Sequence, residues 1–227
     1  LGAFTGFIGV ALRKYVNESE EFIQFKTQTI KTKSFSTLIL EQKKNIIITF
    51  GLYELCALIT YVVFMYMPNY LIIVTEYNNE FVRLINTISL ALMLIMVPFF
   101  GYLGDVYNPR KLLIIFSSLL LLLSFPLYKM MLKGFYCVIF AHLILAVISA
   151  GYQGLITCFV LSRLDIEVRY LVGAIGYNFS YVIFGAGSLL LLSATIDNPL
   201  YVNIPPIVIC LGALISLLFI FTLRVKN

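Results

Sequence analysis

Residues 101–113 read GYLGDVYNPRKLL, a short island of Gly, Asp, Asn, Pro, Arg and Lys between two long apolar runs. Those flanking runs decide the fold. Roughly 81–103 lies upstream and 112–130 downstream, each with few charges and no sustained polar–apolar alternation. About 20 mostly apolar residues in a helix cross a bilayer core about 30 Å thick. Helix is therefore expected over barrel strand. The same reading finds spans at roughly 45–67, 134–162, 170–196 and 200–223. The expected fold is an all-α membrane protein, a bundle of six transmembrane helices over 45–227.

The island itself reads as the connection between two spans. Gly101 and Gly104 permit close helix approach and a tight exit. Asp105, near a helix end, is expected to accept from free backbone N–H groups of a neighbouring helix N-terminus. Asn108 suits a left-handed turn, and Pro109 suits a helix start. Arg110 and Lys111 hold the loop on the cytoplasmic side.

Composition points the same way. The chain has 227 residues, 61% hydrophobic and only 12% charged, with a mean hydropathy of +0.97. Soluble domains are nearer 25% charged. The net charge of +5 raises the question of an anionic partner. The basic residues fall in short loops, however, so sorting of charge across a membrane explains them and nucleic acid is not needed. Thirteen of the 16 Lys and Arg residues lie in 13–44, in alternate loops (Arg110, Lys111, Arg163, Arg169) and at Arg224 and Lys226. Arg83, Lys129 and Lys133 lie on the other side. The linker 13–44 and the C-terminus are therefore expected to be cytoplasmic, in an inner, plasma-type membrane.

Segment 13–44 is the one long polar stretch, with room for a short interfacial helix. Residues 1–12, LGAFTGFIGVAL, are apolar but reach only about 18 Å as a helix. They are expected to be the end of a truncated transmembrane helix.

No enzyme chemistry is legible. Cys56, Cys137, Cys158 and Cys210 sit in apolar runs without metal-ligand spacing. There is no Walker sequence, no Ser–His–Asp set and no paired carboxylates. GAGS at 185–188 lacks a third glycine and a following Lys. No cofactor or metal is expected.

Ionisable and polar groups inside the spans raise the functional question. Glu54 lies about 15 Å into its span. Two roles stand for it: a proton or substrate site, or a neutral carboxyl hydrogen-bonded to Tyr53 or to another helix. A third option places it nearer the interface. His142, the single histidine, reads as a hydrogen-bonded packing residue. Gln153 and Tyr152, beside Gly151 and Gly154, form a polar, kinkable patch. Tyr177, Tyr181, Phe184 and Ser188 fall at i, i+4, i+7 and i+11, one face of a helix, with the Asn178 amide alongside. Such a face could hold a small zwitterion by cation–π attraction, or could simply pack helices together.

The opening stretch resembles the loop signature of the major facilitator superfamily, G-x-x-x-D-R-x-G-R-[RK]. Gly101, Asp105 and Arg110 match, while Val106, Asn108 and Pro109 depart. VRYLVGAIGYNFSYVIFGAG (168–187) is similar to the eleventh helix of the metabolite:proton symporter branch, which includes proline/betaine and α-ketoglutarate transporters. MPNYL (67–71) resembles the end of its seventh helix, and LRKYVNESEEF (12–22) the exit from its sixth. Ser188, Leu189, Ser162 and Arg163 depart from the branch pattern. The resemblance implies helices seven to twelve, the C-terminal half of a twelve-helix fold, with the end of helix six in front. It also implies proton-coupled symport of a small osmolyte or organic acid, with Gly101, Asp105 and Arg110 as a gate loop. Partners would be the substrate, protons, the lipid bilayer and an N-terminal half. The rival expectation is a non-transporting remnant, or a split-transporter subunit that needs a separate N-terminal half.

Overall fold

A chain this apolar satisfies its backbone polar groups within each span, and the described elements are accordingly all helices. The computed structural model describes residues 6, 35–75, 77–196 and 202–223. The expected truncated helix at 1–12, most of the linker, Glu76, Arg224 and Lys226 lie outside the described residues. Helix α1 is the short Phe35–Glu41. Six helices long and apolar enough to cross a membrane follow: α2 Lys43–Thr75, α3 Asn79–Val106, α4 Pro109–Met131, α5 Phe135–Leu161, α6 Ile166–Thr195 and α7 Ile204–Thr222.

Five of the six spanning helices have both ends within four residues of expectation. The exception is α2, which does not stop at Pro68 but runs on to Thr75. Proline lacks the N–H that an α-helix needs and crowds the carbonyl four residues back. The chain answers with a wider π-helical stretch, Ile59–Tyr66, just before Pro68. A second π stretch, Tyr181–Ala186, interrupts α6 beside it. The two are in contact: Gly185 faces the Tyr61 ring so closely that a Cβ would stand 2.7 Å from it.

Helices α6 and α7 both pack on α2; α4 packs on α7 and α5, and α3 packs on α5. The centre of the bundle is α2 and α5. Tyr152, fully buried on α5, ties them together: its hydroxyl is 2.7 Å from the Leu52 carbonyl of α2 and 2.6 Å from Ser216 Oγ of α7. Tyr66 donates to the Leu192 carbonyl at 3.2 Å and Tyr70 to the Val202 carbonyl at 2.8 Å. Such bonds are the polar glue between spans whose apolar faces cannot tell a neighbour from lipid.

At the α3/α5 crossing the backbones meet through glycine, as expected for Gly101. Its partner is Gly154, whose missing Cβ would stand 2.5 Å from the Val97 carbonyl oxygen. The α3–α4 loop corrects two expectations. Asn108 is extended (φ −67°, ψ 110°), not left-handed. It is also the group that caps the next helix, its Oδ1 accepting from the N–H groups of Arg110 and Lys111. Asp105 does not; it is exposed in the last turn of α3. Two residues separate it from Asn108, and the extended cap residue is the one whose side chain can fold back onto the new helix. Asn108→Ala should cost about 1 kcal/mol, and Asn108→Asp should keep most of it. Thermal unfolding in mild detergent measures both.

Candidate functional site

Tyrosines from two helices converge where α2, α5 and α6 meet. Tyr177 and Tyr181, four residues apart on α6, stack with ring centroids 4.3 Å apart. Tyr53 of α2 meets Tyr177 edge-on at 5.3 Å, and Tyr61 meets Tyr181 at 6.3 Å. Thr60 lies near the Tyr181 hydroxyl, and Thr157 near the Tyr53 hydroxyl. Gln153 Nε2 stands 3.5 Å from Thr60 Oγ1, whose own proton goes to the Cys56 carbonyl at 2.9 Å. The result is a strip of aromatic faces, hydroxyls and one amide. None of these residues carries a formal charge. Tyr177 is 41% exposed, so the strip is open on one side.

Of the residues picked out from the sequence, Tyr177, Tyr181 and Gln153 are brought together here. Asn178 is not in the strip: its Nδ2 donates to the Ala174 carbonyl of its own helix at 2.7 Å. The face of Tyr177, Tyr181, Phe184 and Ser188 is also split. Phe184 and Ser188 line a different cleft, and Phe184 packs on Phe50 at 5.3 Å. The cause is the π stretch at Tyr181–Ala186, where more residues per turn carry later positions off the original face. Tyr53, Thr60, Tyr61 and Thr157 were not singled out as site residues. Their spacings, i to i+7 and i+8 on α2 and i to i+4 from Gln153 on α5, are the signal available.

Glu54 lies elsewhere. It is fully buried (0% exposed), and neither carboxylate oxygen has a hydrogen-bond partner among the described residues. The bond to Tyr53, one of the alternatives for this carboxyl, is not formed, because successive helical residues point about 100° apart and Tyr53 faces the strip. The carboxyl faces α7 instead, with Oε2 3.2 Å from where a Cβ on Gly212 would be. Its place as the twelfth residue of a 33-residue helix keeps it far from either end.

His142 packs as the sequence suggests, with Nε2 3.2 Å from Asn86 Oδ1 and the ring against Phe64. In the α3–α4 connection, Arg110 reaches the C-terminal end of α7 and donates to the carbonyls of Ile220 and Phe221 at 3.1 and 3.3 Å. A cation there complements the helix C-terminus. Arg163, in the α5–α6 connection, stacks on Phe159 with its guanidinium 4.3 Å from the ring centroid. Burial and then the nearby Arg110 guanidinium lower its pKa from the ordinary arginine value. The basic residues of the 107–111 and 162–165 connections thus gather at one end of the bundle, with Lys44 lining the same pocket as Arg163.

No family model matches the chain, and no solved structure matches it. It is similar to several transporters. Over 229 aligned residues it is 24% identical to a protein of Staphylococcus haemolyticus (strain JCSC1435) named "Putative proline/betaine transporter", covering 100% of this chain and 49% of the relative. It is 25% identical over 191 residues to the proline/betaine transporter of Escherichia coli (strain K12), covering 79% of this chain and 38% of that one. The Salmonella typhimurium (strain LT2) protein of the same name is 26% identical over the same shares. Six spanning helices and similarity to named transporters mark an integral membrane protein related to transporters, and the chain spans about half or less of the relatives' own length.

Proposed function

We propose that this chain is the C-terminal six-helix half of a secondary active transporter of the major facilitator type. In this reading it moves a small zwitterionic osmolyte, such as proline or a betaine, together with protons. The observation that carries it is the tyrosine strip of Tyr53, Tyr61, Tyr177 and Tyr181, open on one side and edged by Thr60 and Gln153. Stacked rings hold a quaternary or secondary ammonium by cation–π attraction, while hydroxyls and an amide can serve a carboxylate. A dicarboxylate would want a fixed cation, and the strip offers none.

The open side of the strip is where an N-terminal half would close the cavity, the two halves rocking about it. The linker and C-terminus face the cytoplasm of a bacterial inner membrane in this arrangement, and the connection with Gly101, Asp105 and Arg110 is the cytoplasmic gate loop. Glu54 is the proton-carrying candidate, held on the α7 side of α2 and apart from the strip.

Uptake of labelled proline, glycine betaine and α-ketoglutarate tests the reading, in cells expressing this chain with and without an N-terminal six-helix half. Accumulation of proline or betaine by the pair alone is expected, and Tyr177→Ala should lower it by raising KM at least about tenfold. No uptake by the pair identifies a non-transporting protein. Uptake of α-ketoglutarate alone moves the substrate class, and uptake by this chain alone removes the need for a second half.

A further inference from the structure

Helices α6 and α7 each pack on α2 but scarcely touch one another. The gap between them is a cleft of about 620 Å³, a volume suited to a small organic ligand. Its walls are almost wholly aliphatic, with Ile183, Leu191 and Leu211 exposed at its rim. At its floor lies Glu54, with both carboxylate oxygens unpartnered and bare Gly212 beside them.

The remaining polar groups of the cleft are two hydroxyls whose protons are already committed. Ser188 Oγ donates to the Gly185 carbonyl at 2.9 Å, and Thr195 Oγ1 to the Leu192 carbonyl at 3.0 Å. Among the described lining residues there is no cation, and the one uncommitted side-chain proton is that of the Glu54 carboxyl. An anion would meet no counter-charge there, and an uncharged alkyl chain would leave the buried carboxyl without a partner. The aromatic ring of Phe184 also lines the cleft.

We propose that this cleft is a binding site for an amphipathic amine entering from the bilayer, its nitrogen paired with Glu54 and its apolar body along α6 and α7. The uncharged amine crosses lipid and takes the carboxyl proton at the cleft floor. An N–H bond forms as the O–H bond breaks, so the ammonium and carboxylate arise together and no lone charge enters the low-dielectric interior. This site is separate from the tyrosine strip and stands whether or not the chain takes part in osmolyte transport.

Binding of tritiated octylamine, octanol and octanoate to the purified chain in nanodiscs, corrected for empty nanodiscs, tests it without any transport step. Octylamine should bind saturably and at least tenfold more tightly than octanol, with octanoate not competing. Glu54→Gln should weaken octylamine at least tenfold, and Tyr177→Ala should leave it unchanged. Leu211→Trp keeps the carboxyl and fills the rim, so it should weaken octylamine too, which guards against a Glu54 variant that fails to fold. Octylamine binding no tighter than octanol, or binding undiminished in both cleft variants, overturns the proposal.

Discussion

Glu54→Gln should abolish proton-driven accumulation of substrate by the paired halves while sparing substrate exchange. Glutamine keeps the volume and the planar head group, so packing against Gly212 changes little. What it loses is the capacity to gain and release a proton. Among the described residues Glu54 is the one buried carboxyl, and it has no partner to fix its charge state. A buried, unpaired carboxylate is costly, so its proton leaves only when the surroundings change, which couples protonation to movement. Accumulation driven by an imposed pH gradient should fall to background, a loss of about 100-fold or more if this proton transfer is required for each cycle. Counterflow at equal pH, which needs no net proton movement, should persist. Accumulation that still responds to the pH gradient would sink the assignment of Glu54 as the proton carrier.

The second large effect is structural and turns on two glycines that look alike in sequence. Gly154→Ala should destabilise the bundle by about 2–3 kcal/mol, the cost of overpacking a close contact. Gly101→Ala should be nearly neutral. A methyl on Gly154 would stand 2.5 Å from the Val97 carbonyl oxygen and 3.2 Å from the Gly101 nitrogen, and neither backbone atom can turn aside. A methyl on Gly101 would meet the Gly154 carbonyl at 3.5 Å, an ordinary contact. Only Val82, Ile85 and Ser89 of the 28 residues of α3 are buried. Thermal unfolding in mild detergent, with both variants side by side, distinguishes this from a general intolerance of larger residues at the crossing. Equal losses for the two would show that the α3/α5 contact does not pass through Gly154 in this way.

The helices were legible because hydropathy over about 20 residues is a one-dimensional property that the bilayer itself selects. So was the cap region around Pro109, since a proline that has no N–H to offer belongs at a helix start. Which side chain did the capping was not legible: Asp105 and Asn108 are both suited, and only the extended backbone at Asn108 decides between them. The extension of α2 past Pro68 was hidden as well. A proline can end a helix or be absorbed in it, and Pro68 by itself does not tell which; the π stretch that absorbs it lies against α6.

The candidate site divides along the same line. Tyr177 and Tyr181 on α6 could be seen at helical spacing, and Gln153 stood out as an amide within an apolar span. That Tyr53 and Tyr61 complete their strip depends on how α2 rotates against α6, which is set by Ser180 bonding the Phe50 carbonyl at 2.6 Å and by Gly176 closing on Thr49. Glu54 was conspicuous as a charge in an apolar run. Its direction, toward α7 and away from Tyr53, was not. The sequence by itself determined that six helices are long and apolar enough to cross a membrane, and it marked where polar groups interrupt them, because both follow from the cost of placing charge and bare backbone in hydrocarbon. Only the tertiary structure decided which of those groups meet, because helix rotation, π stretches and glycine contacts are properties of pairs of helices, and adjacent residues such as Tyr53 and Glu54 part company across one helix.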